Sequence, residues 1–210
     1  MRVGLLGGSF NPAHEGHLHI SLTALRRLDL DQVWWLATPQ NPLKSSKGMA
    51  PYVERLAQAA AMARHPKILV SDIERQLGTR FTADTLAALR ARYPGTEFVW
   101  LMGADNFGQI HRWHRWQAIF ETMPVAVFDR PPYRFKVLWG PAASVFAQSR
   151  VIGPAMRRLA DAEPPAWTFF QSRLDPLSST GIRHARKAAV AKGPAPAYLQ
   201  GSSTDSRGFT

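Results

Sequence analysis

The 210-residue chain carries 26 lysines and arginines against 15 acidic residues, a formal charge of +11, and no cysteine. The length suits one large domain, or one domain with an elaborated tail, and 45% hydrophobic residues supply a continuous core, which excludes wholesale disorder. The cysteine count excludes disulfides, thiolate metal sites and cysteine nucleophiles and fits a reducing cytoplasm, while the charge draws anions: nucleic acid, acidic lipid or phosphorylated small molecules.

The chain opens directly on a strand-like run at residues 3–6 (VGLL), without the apolar region and cleavage site of a signal peptide. Further strands are expected at 32–37 (QVWWLA), 67–71 (KILVS), 97–102 (EFVWLM), 124–128 (PVAVF) and 167–170 (WTFF). These runs are short, apolar and without clean alternation, as strands buried on both faces are. Helical patterns lie between them at 16–28, 51–64, 82–92 and 113–121; Thr82-Ala-Asp-Thr opens the third with capping chemistry, and Pro51 suits a first helical turn. Strands alternating with helices make right-handed βαβ units. The expected fold is therefore α/β and doubly wound, with a mostly parallel sheet of five to six strands and helices on both faces. No apolar run is long enough to span a bilayer. From Gly193 onward the chain is small, polar and aperiodic, which assigns residues 1–190 to the domain and 191–210 to a loose C-terminal tail.

Ligands of such a sheet bind beyond the carboxyl ends of its strands, and polar, aromatic and glycine residues concentrate in the loops there. The first of these is the most informative: GGSFNPAHEGHLHI, residues 7–20. Gly7 and Gly8 permit close backbone approach to a ligand and supply N–H donors. A helix starting near Gly16 adds free amides and a positive end, with His14 and His17 beside it. This is a phosphate pocket with two imidazoles added. Two histidines three apart can also share a metal, but no third ligand is nearby, and Glu15 points elsewhere. The plainer alternative is that the two rings cap and pack the first helix. There is no G-x-x-x-x-G-K-[ST] and no G-x-G-x-x-G after the first strand, so neither the P-loop nor that dinucleotide fingerprint is present.

The stretch GGSFNPAHEGH resembles the H-x-G-H signature of a nucleotidyltransferase superfamily with a Rossmann-like fold, and LSSTGIR (177–183) resembles that superfamily's second signature. Between them TPQNPLK, RFTADTL, LMGADNF, RWHRW and VFDRP resemble, in order, segments of the bacterial nicotinate-nucleotide adenylyltransferases, over about residues 3–183. The resemblance implies attack by the phosphate of nicotinate mononucleotide on the α-phosphorus of ATP, giving deamido-NAD and pyrophosphate, with Mg²⁺ held by the ATP phosphates and water. Alignment and charge stabilisation carry such a reaction, and no protein nucleophile is required.

Carried onto this sequence, the resemblance assigns His14, His17 and Arg183 to catalysis. It implies ATP binding by Gly7, Gly8, Ser9, Phe10, His14, His17, Gly103, Asp105, Ser179, Thr180, Ile182 and Arg183. Mononucleotide binding falls to Asn41, Lys44, Thr82, Thr85, Asp105, Trp113 and Arg130. Trp113 is a candidate platform for the pyridine ring, and Trp116 is expected in the core. Arg130 either faces the mononucleotide phosphate or pairs with Asp129. No protein metal ligand is implied. The expected partners are ATP and nicotinate mononucleotide, with neither nucleic acid nor membrane, and a homo-oligomer is allowed. The alternatives are another adenylyl- or cytidylyltransferase of the superfamily, such as one acting on pantetheine phosphate, and, in a different class, a basic nucleic-acid-binding module stacking bases on its seven tryptophans. Against the last, Trp34, Trp35 and Trp100 fall inside expected buried strands.

Overall fold

The computed structural model describes residues 1–39, 48–129 and 134–171. Six strands, β1 (Arg2–Gly8), β2 (Gln32–Ala37), β3 (Ile68–Ser71), β4 (Glu97–Gly103), β5 (Val125–Phe128) and β6 (Trp167–Phe170), form one sheet. Their order is β3-β2-β1-β4-β5-β6 and every pairing is parallel. This is the doubly wound order expected of two βαβαβ halves. Strand residues alternate between two apolar layers. Val3, Leu5, Trp100, Met102, Val125 and Trp167 face one layer; Leu6, Val33, Trp35, Val99, Leu101 and Phe128 face the other. Burial of both faces explains the unbroken apolar runs in the sequence.

Helices α1 (Glu15–Arg27) and α2 (Tyr52–Met62) cover the second layer. Helices α3 (Ile73–Leu77), α4 (Thr82–Arg92), α5 (Ala104–Phe107), α6 (Trp116–Thr122) and α7 (Pro141–Val145) lie with the first. The expected strands are all present. Three details differ. β1 runs two residues further, through Gly7 and Gly8. α4 is capped at Phe81 without a side-chain hydrogen bond, so Thr82 is its first helical residue and no capping hydroxyl. Trp113 precedes α6 and ends a short 3₁₀ turn. The short helices α3, α5 and α7 are not anticipated, because four or five residues cannot display a helical period.

The register opens the site. β1 pairs with β2 as far as Gly8 with Ala37, but with β4 only as far as Leu6 with Leu101. Beyond Leu6 the two central strands part. This is also where the winding reverses, since β1 leads outward to β2 and β3, and β4 leads the other way. A crevice at such a point is the standard ligand site of open α/β sheets.

Gly7 answers to packing at this lip. A Cβ built there would lie 2.3 Å from Cη2 of Trp100, whose ring crosses above it from β4. A Cβ on Gly8 would meet the Phe10 ring at 3.4 Å, an ordinary contact. Packing against this indole is a reason for glycine at 7 that the sequence reading, which gave both glycines to close ligand approach, did not contain. Gly7→Ala should cost about 1–3 kcal/mol by overpacking, and Gly8→Ala about half a kcal/mol or less. Thermal denaturation of the two variants checks this, and an equal loss in both refutes the assignment.

Candidate active site

Helix α1 begins at Glu15 because the two histidines cap it. The backbone N–H of Gly16 donates to Nδ1 of His14 at 3.1 Å, and the N–H of His14 donates to Nδ1 of His17 at 3.2 Å. The spacing of three is therefore that of N-cap and N3, a capping box built from imidazoles in place of the usual Ser/Thr and Glu. The capping alternative is therefore what the structure shows, and the phosphate reading turns on the Nε2 side of each ring. A ring nitrogen that accepts from an amide carries no proton, so each neutral imidazole holds its proton on Nε2. Both rings are fixed as Nε2–H donors, the polarity an anionic phosphate requires.

Packing sets their attitude. The His14 and His17 rings are 3.9 Å apart, and His17 lies edge-on to Phe10 at 4.9 Å and 5.9 Å from Trp35. Phe10 stacks on Trp35 at 5.0 Å with 9° between planes. Trp35 Nε1 donates to Ser21 Oγ at 2.7 Å, and that hydroxyl donates to the His17 carbonyl at 2.9 Å. His14 is only 4% exposed. Glu15 points away and meets Arg64 at 3.0 Å.

A second group of donors stands at the start of α4. The N–H groups of Asp84 and Thr85 are already bonded to the Phe81 carbonyl, which leaves those of Thr82 and Ala83 for a ligand among the described residues. The Thr85 side chain is 1% exposed; its hydroxyl lies 2.8 Å from that of Thr79 and 3.2 Å from the Phe81 carbonyl. The segment around Trp113 is drawn alongside by two contacts. Phe81 and His114 rings are 4.3 Å apart, and Arg115 pairs with Asp84 at 3.3 Å. Trp113 is half-buried against the first apolar layer.

A crevice with imidazole donors at a strand-to-helix turn is shared by nucleotide-handling proteins, and comparison with known sequences decides among them. A family model described as cytidylyltransferase-like matches residues 5–185. A Cereibacter sphaeroides protein named "Probable nicotinate-nucleotide adenylyltransferase" is 58% identical over 183 residues, 87% of this chain and 97% of its own. One of the same name from Bradyrhizobium is 52% identical over 184 residues, covering 88% and 96%. This chain belongs to the nicotinate-nucleotide adenylyltransferase family. It is a nucleotidyltransferase. The fold agrees: the Plasmodium falciparum nicotinic acid mononucleotide adenylyltransferase complexed with NaAD superposes with a TM-score of 0.65 at 15% identity, over 87% of this chain and 82% of that one.

Seen as a family member, the chain gathers part of its expected site at the crevice. Gly8 and Ser9 end β1 and begin its loop, His14 and His17 open α1, and Gly103 and Asp105 stand where β4 passes into α5. Two assignments need correction. The Phe10 ring is buried beneath His17, so only its backbone can line a pocket. Thr85 is internal to α4, its hydroxyl and amide both engaged, and the donors there belong to Thr82 and Ala83. Asn41, Lys44, Arg130, Ser179, Thr180, Ile182 and Arg183 lie outside the described residues, as does the expected tail 191–210. Among the described residues no helix is long and apolar enough to cross a membrane.

Two buried charged residues at this end of the sheet went unmarked in the sequence. Arg55 on α2 is 1% exposed; it occupies the inward stripe with Tyr52, Leu56 and Ala59, and a cation in an apolar stripe was the available signal. Glu74 on α3 is 7% exposed, and burial pushes its carboxyl up to about 7 against a hydrogen bond from Thr38 that favours the carboxylate. Since the folded form holds this proton at pH values where the unfolded chain has released it, the contribution to stability is full below the ordinary carboxylate range and is lost as pH rises through about 7. Glu74→Gln should therefore match wild type near pH 4 and gain on it progressively toward pH 8, on the order of 3 kcal/mol at most. Melting temperatures of both proteins across that range test this; a constant offset contradicts it.

Proposed function

We infer that this chain transfers the adenylyl group of ATP to nicotinate mononucleotide, releasing pyrophosphate and deamido-NAD. The observation that carries the inference is the imidazole capping box at the crevice, in a chain 58% identical over 183 residues to a protein named for this reaction. A mononucleotide phosphate oxygen forms a bond to the α-phosphorus, and the α,β-bridging bond breaks with its electron pair leaving on pyrophosphate. The nucleophile is already anionic, so the protein's task is to align two polyanions and to meet charge as it moves onto the leaving group. The Nε2–H groups of His14 and His17, held by their own helix start, are donors that need no reorganisation during the step. The amides of Thr82 and Ala83 suit a carboxylate, which favours nicotinate over nicotinamide, and Trp113 beside them offers a face to the pyridine ring.

Magnesium fits this site as part of the nucleotide. The histidine Nδ1 atoms that could bind a cation already accept amide protons, and the imidazoles and helix-start amides offered to the crevice are N–H donors, which suit phosphate oxygens; Asp105 is the one carboxylate among the residues assigned to it. Bound to the triphosphate, the ion would neutralise charge on the β- and γ-phosphates. ATP and nicotinate mononucleotide are then the partners, and the cytoplasm the compartment that holds both. The nucleic-acid reading has few stacking platforms to draw on: Trp35, Trp100 and Trp167 are buried, Trp34 and Trp116 pack on Tyr93, Phe98, Phe120 and Phe146, Trp113 is half-buried, and Trp139 stands out at 87% exposed.

A coupled pyrophosphate assay should show release from ATP with nicotinate mononucleotide and little with nicotinamide mononucleotide or phosphopantetheine. Faster turnover of phosphopantetheine would overturn the reading. His17→Ala should lower kcat by about 10²–10³ while the KM for ATP stays within about threefold; near-normal turnover of the folded variant removes His17 from the chemistry. Trp113→Ala should raise the KM for the pyridine mononucleotide by about tenfold or more and spare ATP. An unchanged ratio of the two KM values counts against the stacking role.

A further inference from the structure

We propose that Arg55 is a positioning residue of the adenylyl-transfer site, a buried guanidinium that holds the loops after β1 and β2 and thereby sets the His17 ring. A buried arginine ordinarily answers a carboxylate, and among the described residues none pairs with this one. It is spent on backbone carbonyls instead. Nη1 donates to Ser9 O at 2.5 Å and to Thr38 O at 2.9 Å, Nη2 to Pro39 O at 2.7 Å, and Nε to Ala50 O at 3.2 Å. The Tyr52 ring lies 5.2 Å beneath the guanidinium. Burial pulls its pKa below the ordinary value, so the cation is held at a cost that the four carbonyls offset.

These carbonyls belong to three separate stretches of chain. Ser9 follows β1, Thr38 and Pro39 follow β2, and Ala50 precedes α2. Asn11 ties the first and third again: its Oδ1 accepts from the Ala50 N–H at 3.1 Å, and its Nδ2 donates to the Gly48 carbonyl at 3.3 Å. Fixing the Ser9 carbonyl fixes the peptide it shares with Phe10, and Phe10 is held at φ +43°, a left-handed conformation that a phenylalanine adopts only under constraint. That conformation lays the Phe10 ring flat on Trp35 and inclined at 61° to the His17 ring. The line of force runs from Arg55 through Ser9 and Phe10 to the imidazole. Lysine cannot replace it, because one ammonium on a flexible stem does not span acceptors spread over three segments.

The proposal rests on the adenylyltransferase reading, and its test separates the two. Wild type, Arg55→Lys, His17→Ala and the double variant are compared at saturating substrates, with circular dichroism to confirm folding. Arg55→Lys should lower kcat by about 10- to 100-fold, with the KM for ATP changed by less than about threefold. In the His17→Ala background the same substitution should change kcat by less than about twofold, since the ring it positions is gone. An equal loss in both backgrounds overturns the proposal, because support of the fold alone acts irrespective of His17. Should Arg55→Lys fail to fold, replacing the Ser9–Phe10 amide by an ester weakens the Ser9 acceptor and leaves every side chain in place; it should give the same His17-dependent loss, and normal turnover refutes the mechanism. Imidazole ¹⁵N spectra supply a readout free of activity. The His17 signals should leave the Nε2–H tautomer pattern in Arg55→Lys while exposed His111 keeps its own, and an unmoved His17 pattern also counts against the role. If wild type releases no pyrophosphate, the functional reading fails while the spectra still decide whether Arg55 sets the ring.

Discussion

Two amide protons at the start of α1 set the polarity of the two imidazoles at the crevice. By donating to the Nδ1 atoms of His14 and His17 they begin the helix and, in the same act, leave each imidazole its proton on the opposite nitrogen. The helix start and the donor polarity of the two rings are thus one set of bonds. A serine at position 14 would cap the helix equally well, and a glutamate at 17 would complete the box, but neither would leave an N–H donor facing the crevice. What the spacing of three provides is a capping motif whose leftover valence is the useful one for an anionic ligand.

The rings would be of little use if they could turn. Their attitude is set from below by Phe10 and Trp35 and from behind by the Trp35–Ser21–His17 chain of hydrogen bonds, so the site is the top layer of one apolar cluster. Strand order adds the opening. β1 and β4 stop pairing at Leu6 and Leu101, and the residues that matter are those just past that point on each strand. Surface ion pairs such as Arg64 with Glu15 and Arg115 with Asp84 contribute little stability in water. The positive surplus acts instead as a field that attracts phosphorylated ligands.

Much of this was legible in the residues. The strand runs gave the sheet within a residue or two at each end, because strands buried on both faces have no polar interruptions. The histidine spacing and the glycine-rich exit marked the first loop. The short helices stayed hidden, although Gly78, a left-handed C-cap after Leu77, was a readable stop for α3. Harder still were the features that depend on contacts distant in sequence. The need for glycine at 7 comes from an indole on β4, and the role of Arg55 comes from carbonyls up to 46 positions away. Glu74 carries no local sign of burial beyond its apolar neighbour Ile73. Thr85 illustrates the converse error: a threonine near a helix start invites a ligand role, yet a one-turn difference placed it inside the protein.

The indole of Trp100 resting over Gly7 means that these two positions share a single allotment of volume across neighbouring strands. A homologue that drifts toward a slimmer residue at 100 acquires room for a side chain at 7, and one that keeps the indole forbids it, so a side chain at 7 should occur only where residue 100 is smaller. Because position 7 sits where β1 turns away from β4, that exchange sets the height of the lip between the two strands and makes the mouth of the crevice a heritable dimension tuned from within the sheet.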